Sequence, residues 1–390
     1  MRKKVAILLP WLKMGGTNKV ALRFAEELRE YCDVTLILSS REGELASELP
    51  SGVNVVYDEF VSFKKILADD LKHLRLRRVV KDAIYYINIR RGRDDIDNFR
   101  YYASRQKPIE GEYDCAVSYH GQSPERLVNL LYRIRAEKKA VWIHGEMSFA
   151  QSTLDKMAKY YSKVDRFFFV SRATQDSFAK CIPFDESRAT VYINPLDADV
   201  IRRAACEKES DEFSHEFVNI LTVGRLSREK GVDMIPKITK ILLSRGHRVR
   251  WYVIGDGDCR DEINRLIEEN GVRDSVFLLG VRMNPYVYMK NCDIYVQPSY
   301  TEGYSTTVCE AGVLGCAIVA TAQSGGIREQ ITHGKDGLIA DATPQSLADA
   351  AEQLILSPQL RHRFEDEIQK KNFEGKGEIG KFLDFCGNGY

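Results

Sequence analysis

Glu302-Gly-Tyr-Ser-Thr-Thr-Val-Cys-Glu310 lies between an apolar run, Cys292-Asp-Ile-Tyr-Val-Gln-Pro-Ser299, and a small-residue stretch, Ala311-Gly-Val-Leu-Gly315. The order reads as a strand, a glycine-containing turn and the start of a helix. Such a junction leaves main-chain N–H groups unpaired at the positive end of a helix dipole, where an anion is stabilised. With a helix starting near Ser305, Glu302 lies at its mouth and Glu310 in its second turn. Eight residues at about 100° each would leave the two carboxylates roughly 80° apart around the axis. Both could then face one ligand whose phosphate rests on the helix tip, over Tyr304, Ser305, Thr306 and Thr307.

A second stretch, Val223-Gly-Arg-Leu-Ser-Arg-Glu-Lys230-Gly231, directly follows the apolar run Val218-Asn-Ile-Leu-Thr222. A loop at the C-terminal end of a strand, carrying the cations Arg225 and Lys230 beside Gly224, is where open α/β sheets bind ligands. Together the two stretches resemble the donor-site motifs of retaining GT-B glycosyltransferases of family 4, the group 1 glycosyltransferases of bacterial polysaccharide biosynthesis. The resemblance covers nearly the whole chain and is strongest from Val218 to Asp341. It implies two Rossmann-like parallel-sheet domains facing a central cleft. It also implies that Arg225 and Lys230 bind the donor diphosphate, that Glu310 accepts the ribose hydroxyls, and that Glu302 binds hydroxyls of the sugar.

Composition agrees with an α/β enzyme of two domains. The chain has 390 residues, too many for one ordinary core. Its formal charge of +1 argues against wholesale nucleic-acid binding. The nine cysteines form no CxxC pair, and several lie in apolar runs, which predicts buried free thiols in a reducing cytoplasm and no structural zinc. The opening Met-Arg-Lys-Lys-Val-Ala-Ile-Leu-Leu-Pro is too short in its apolar part for a signal peptide, meets Lys13 and lacks an Ala-x-Ala site. It reads as the first buried strand. No run approaches the roughly 18 apolar residues of a transmembrane helix.

Strand-like and helical patterns alternate, which predicts a largely parallel sheet covered by helices. We expect an N-terminal, acceptor-side domain over 1–200 and a C-terminal, nucleotide-sugar domain over 201–370. The polar stretch from Arg202 to His215 would link them. The segment 371–390 is glycine-rich and short of apolar periodicity; in the family the last helix returns to the N-terminal domain.

Other motifs carry two readings each. Met14-Gly-Gly-Thr17 joins the first strand to its helix: Gly15 and Gly16 would let main-chain N–H groups approach a phosphate or sugar, or else form a tight turn with Thr17 as N-cap. The family has a similar loop facing the donor, but its acidic and basic residues are replaced here by Thr17, Asn18 and Lys19. His144, ending the strand of Trp142-Ile143, matches a family histidine that contacts the donor sugar; His120 reads as structural. Gly255-Asp-Gly257 lacks the third glycine of a dinucleotide fingerprint, with Arg260 in that place, and is expected to border the nucleotide pocket. Ser324-Gly-Gly326, followed by Glu329, reads as a further loop near the donor. Val281 and Arg282 are candidate neighbours of the base. From Phe63 to Arg105, lysines and arginines, including Arg90, Arg91 and Arg93, alternate with leucines and tyrosines. This is either a solvated face or a peripheral contact with anionic membrane.

The resulting expectation is a retaining, metal-independent glycosyltransferase that uses a nucleotide-sugar, with UDP the expected base, and no cofactor. Glu302, His144, Arg225 and Lys230 would be its catalytic groups. The acceptor would be a glycan or a polyprenyl-linked sugar at the inner face of the membrane. The alternatives are a soluble acceptor, a GDP-mannose donor, or a degenerate protein that binds the donor without turnover.

Overall fold

The computed structural model describes residues 2–9, 11–13, 15–90, 96–207, 212–214, 216–321, 323, 325–375 and 377–387, with the backbone alone for 89 and 90. Met14, Ser324, Arg91, Arg93 and the Arg90 side chain therefore lie outside the described residues. Stretches such as Val5-Ala-Ile-Leu8 and Phe167-Phe-Phe169 put apolar groups on both faces of a strand, so both faces must be covered. That is the condition of a parallel sheet flanked by helices.

The chain divides into two units: Met1–Val170 with Thr174–Ile193 and Lys376–Tyr390, and Ser171–Ala173 with Asn194–Gly375. The first holds β1 (Lys4–Leu8), β2 (Asp33–Leu38), β3 (Asn54–Tyr57), β4 (Glu112–Ser118), β5 (Arg135–Ile143), β6 (Arg166–Phe169) and β7 (Ala189–Val191). Their order is β3-β2-β1-β4-β5-β6-β7, and every pairing is parallel. Ala6, Leu8, Val141, Ile143, Phe167 and Phe169 pack together on one side. The alternate residues Trp142 and Phe168 meet Phe24, Tyr192 and Phe382 on the other.

Phe382 belongs to the helix Glu378–Cys386, whose Ile379, Phe382, Leu383 and Cys386 are buried. The segment called short of periodicity thus carries a helical apolar stripe. Its glycines, Gly377 and Gly387, sit just outside the helix in the left-handed region, where they bound it. Phe382 reaches the first unit's aromatic core, 4.9 Å between ring centroids from Phe24. The first helix, Gly16–Leu28, has Gly15 as N-cap and no side-chain cap, so Thr17 lies within its first turn and does not cap it.

The second unit holds β8 (Val218–Val223), β9 (Val249–Ile254), β10 (Val276–Gly280), β11 (Ile294–Gln297), β12 (Ile318–Thr321) and β13 (Leu338–Ala340). They run parallel in the order β10-β9-β8-β11-β12-β13. Ile220, Trp251, Ile294 and Val319 face one core, and their neighbours Leu221, Tyr252, Tyr295 and Ile318 face the other. The helix Ala198–Ala205 buries Ala198 and Ile201 in this second core, which is why the division falls at Ile193/Asn194 and not at residue 200.

Candidate functional site

Within the second sheet the strand order reverses between β8 and β11, so the chains leaving these two strands diverge and open a crevice at their C-terminal ends. The loop after β8 carries Arg225 and Lys230. The loop after β11 carries Glu302 to Ser305. A main-chain and a side-chain hydrogen bond tie the two loops together: Tyr300 N–H donates to the Glu229 carbonyl at 2.8 Å, and the Tyr300 hydroxyl donates to the Asp233 carboxylate at 3.1 Å. Gly231 makes this approach possible, with φ at +63° and a position where any Cβ would stand 2.0 Å from the Pro298 carbonyl oxygen.

That turn delivers Lys230 to Glu302. Lys230 Nζ lies 2.7 Å from Glu302 Oε1, on a carboxylate that is 9% exposed. The same oxygen accepts from Ser299 Oγ at 2.9 Å and Gln297 Nε2 at 3.3 Å. The Gln297 amide oxygen in turn accepts from Tyr295 OH at 2.9 Å and Thr307 Oγ1 at 3.1 Å. One buried glutamine therefore ties the glutamate to the first turn of the following helix.

The helix runs Thr306–Val313, with Ser305 as N-cap and no side chain closing its N-terminus. Its first-turn N–H groups have no intrahelical acceptor. Instead of capping, Ser305 is clamped from outside. Gln330 accepts from Ser305 N–H at 3.0 Å and donates to the Ser305 carbonyl at 2.7 Å. Gln330 stands on the helix Gly326–Gln330, and a Cβ at Gly326 would meet the Gly303 carbonyl oxygen at 1.8 Å. Gly326 thus packs against the turn that follows Glu302 and Gly325 against Ala173, while Glu329 accepts from the N–H groups of Arg172 and Ala173 in the same unit.

Glu302 lies before the helix, not on it, so the 80° separation drawn from helical spacing does not apply. Glu310, on the helix, is oriented separately, by Tyr286 OH at 3.1 Å. Arg225 is exposed and has no side-chain partner among the described residues. Its loop is fixed by Gly224 N–H to the Ile254 carbonyl and Leu226 N–H to the Asp256 carbonyl. Gly255 and Gly257 permit this, since a Cβ on either would lie 1.9 Å from Gly224 O or 2.5 Å from Leu226 O. Arg282, a candidate neighbour of the base, is bound to Tyr288 OH and Glu212.

The first unit holds the remaining candidates. Gly15 has nothing within 4 Å of where a Cβ would stand, so its place at the helix N-terminus is open. His144 packs on Tyr119 and Trp142, its Nε2 buried without a partner among the described residues. Burial, then the neighbouring His120, pushes its pKa down to about 3; burial, then Arg126, pushes His120 to about 4. Both rings are neutral in the folded protein near neutral pH, while in the unfolded chain they titrate near 6.5. Below that value the unfolded state binds more protons, so the stability these two rings contribute is full above pH 6.5 and is lost as pH drops towards 4. Each histidine contributes about 1.4 kcal/mol per pH unit. Urea midpoints at pH 7 and pH 5 should therefore differ less in His144→Gln than in the parent; equal differences would show that the ring is not held neutral.

Tyr286, Gln297, Ser299 and Gln330 escaped the sequence reading. Ser299 and Gln297 ended the strand-like run in view, but nothing in their spacing marked them. Tyr286 and Gln330 are brought in only by tertiary packing. No group of three metal-ligating side chains occurs among the described residues.

Two family models match the chain: glycosyl transferases group 1 over residues 207–371, and glycosyltransferase family 4 over residues 14–200. An N-acetylgalactosamine-N,N'-diacetylbacillosaminyl-diphospho-undecaprenol 4-alpha-N-acetylgalactosaminyltransferase of Campylobacter jejuni is 25% identical over 54% of this chain and 56% of its own. A poly(ribitol-phosphate) alpha-N-acetylglucosaminyltransferase of Staphylococcus aureus is 25% identical over 50% and 40%. The chain thus spans about half the length of these curated relatives. Anabaena HepE in complex with UDP and glucose superposes with a TM-score of 0.74 at 18% identity, over 99% of both chains. Staphylococcus aureus TarM in a complex containing UDP gives 0.72 at 13%, over 98% of this chain and 99% of its own. At these identities the two structures show a shared GT-B fold.

Proposed function

We propose, since the chain belongs to the group 1 (family 4) glycosyltransferases, that it moves a sugar from a UDP-sugar to a glycan or polyprenyl-linked acceptor, with retention of configuration and without a metal. The observation that carries this is the gathering of Lys230, Glu302, Glu310 and an uncapped helix N-terminus at the switch point of the second sheet. The UDP-bound structural neighbours and the undecaprenol-linked substrate in the Campylobacter relative's name support the choice of donor and acceptor class.

In this reading Glu310, aimed by Tyr286, accepts the ribose hydroxyls. Arg225, Lys230 and the N–H groups of Thr306 and Thr307 take up the charge that develops on the departing diphosphate, the role a divalent cation has elsewhere. Glu302 orients hydroxyls of the sugar and steadies positive charge at the anomeric carbon. The bond from that carbon to the β-phosphate oxygen breaks as the acceptor hydroxyl adds on the same face. The hydroxyl proton passes to the departing phosphate oxygen, so no protein nucleophile is needed. Gly15, Gly16 and His144 enter this reading through the family resemblance alone. The enzyme would work in the cytoplasm, against the inner face of the membrane. No helix among the described residues is long and apolar enough to cross one.

Calorimetry with UDP, GDP, ADP and NAD, in EDTA throughout, tests the donor half. UDP alone should bind. GDP in its place would redirect the donor to a mannose or fucose nucleotide, and binding only after magnesium is added would overturn metal independence.

A further inference from the structure

The helix Leu76–Arg90 presents its apolar side to solvent. Leu76, Val80, Ile84 and Ile87 are between 47% and 65% exposed, and at steps of four, four and three residues they form one stripe within about 80° of arc. The opposite side holds the helix down. Asp82, fully buried, accepts from Tyr101 OH at 2.7 Å and pairs with Arg105, while Tyr85 stacks on Tyr102. The preceding helix, Phe63–Lys72, adds Leu71, and the turn between the two adds Leu74, 79% exposed and held at φ +53°. A bulky residue seldom adopts that conformation.

The charge around this stripe is of one sign. Lys64, Lys65, Lys72, Arg77, Arg78 and Lys81 are exposed, and none has a carboxylate partner among the described residues. The carboxylates carried by the two helices are already engaged: Asp69 and Asp70 by Arg75, and Asp70 and Asp82 by Arg105. A second copy of this face would set cation against cation. Nucleic acid would satisfy the charge but leave the leucines in water. An anionic bilayer surface satisfies both, because apolar side chains enter the headgroup boundary while lysines and arginines meet lipid phosphates.

We infer that the surface formed by the helices Phe63–Lys72 and Leu76–Arg90 is a membrane-docking face, lying in the plane of an anionic leaflet with Leu71, Leu74, Leu76, Val80 and Ile84 inserted. It gives the lipid-linked reading of the acceptor its physical route, and its binding is measured without any substrate.

The test is flotation of the full chain with phosphatidylcholine vesicles, with and without phosphatidylglycerol. Binding should require phosphatidylglycerol and weaken with salt. Arg77→Ala with Lys81→Ala should lower partitioning roughly 25-fold, at about fivefold per basic residue. Leu76→Ser, Val80→Ser and Ile84→Ser together should lower it at least tenfold. These positions are exposed, and UDP binding by the same variants reports that the fold is kept. No flotation, or flotation untouched by the serine variants, would overturn the inference. So would a parent dimer that the serine variants dissolve, or RNA binding that competes for the same residues. A chain that floats but binds no nucleotide would leave the docking face standing and remove the donor reading; the reverse result would do the opposite.

Discussion

Lys230→Ala should lower turnover at saturating donor by about 10²–10³-fold, the size of effect seen when one preorganised charge-stabilising group is removed, while changing UDP affinity far less. The side chain has two partners in view, one present and one proposed. In the structure it neutralises Glu302; in the reaction it would stabilise the leaving diphosphate. Its loss therefore also takes the charged partner from Glu302, which is 9% exposed, while Ser299 and Gln297 still donate to it. That should cost about 1–3 kcal/mol of stability, read as a lower urea midpoint. Combining Lys230→Ala with Glu302→Gln isolates the stability role: the midpoint should recover, while turnover should stay low because both charged groups of the proposed reaction are then missing. Turnover that recovers with the midpoint would mean that Lys230 acts only as a strut.

Glu310→Ala should weaken UDP binding by about 10–100-fold, the equivalent of losing hydrogen bonds to a charged acceptor at about 1.5–3 kcal/mol. Calorimetry checks it directly, with the thermal midpoint as the control for folding. Tyr286→Phe should weaken binding in the same direction by a smaller factor, because it releases the carboxylate from its 3.1 Å hydrogen bond without removing it. An unchanged dissociation constant in Glu310→Ala would sink the assignment of the ribose contact. It would also leave the spacing of Glu302 and Glu310 without a role in the donor site.

The residues that announced themselves in the sequence are those whose local neighbours determine their setting. The strands were legible because apolar runs buried on both faces have few other homes. The loop after β8 was legible because Gly224, Arg225, Lys230 and Gly231 follow a strand directly. The mutual contact of Lys230 and Glu302 was not, since it depends on Gly231 lying against Pro298, 67 residues away in the sequence. Gln330 shows the same limit, reaching back to Ser305 from a helix that reads as an ordinary loop exit. Helical geometry misled once, by treating Glu302 as part of the helix that begins at Thr306. The C-terminal helix is short and bounded by Gly377 and Gly387, so its row of Ile379, Phe382, Leu383 and Cys386 stands out from the composition of the segment only once the helix is seen.

The press of Gly255 and Gly257 against the main chain of Gly224 and Leu226 has a bearing on re-engineering. Neither loop can be treated as an independent cassette, because a side chain introduced in one collides with the backbone of the other at 1.9–2.5 Å. A library that randomises the Gly255–Gly257 segment to alter donor preference will mostly yield chains that cannot close this seam. Transplants that move residues 224–231 and 255–259 together, from one parent, should keep it.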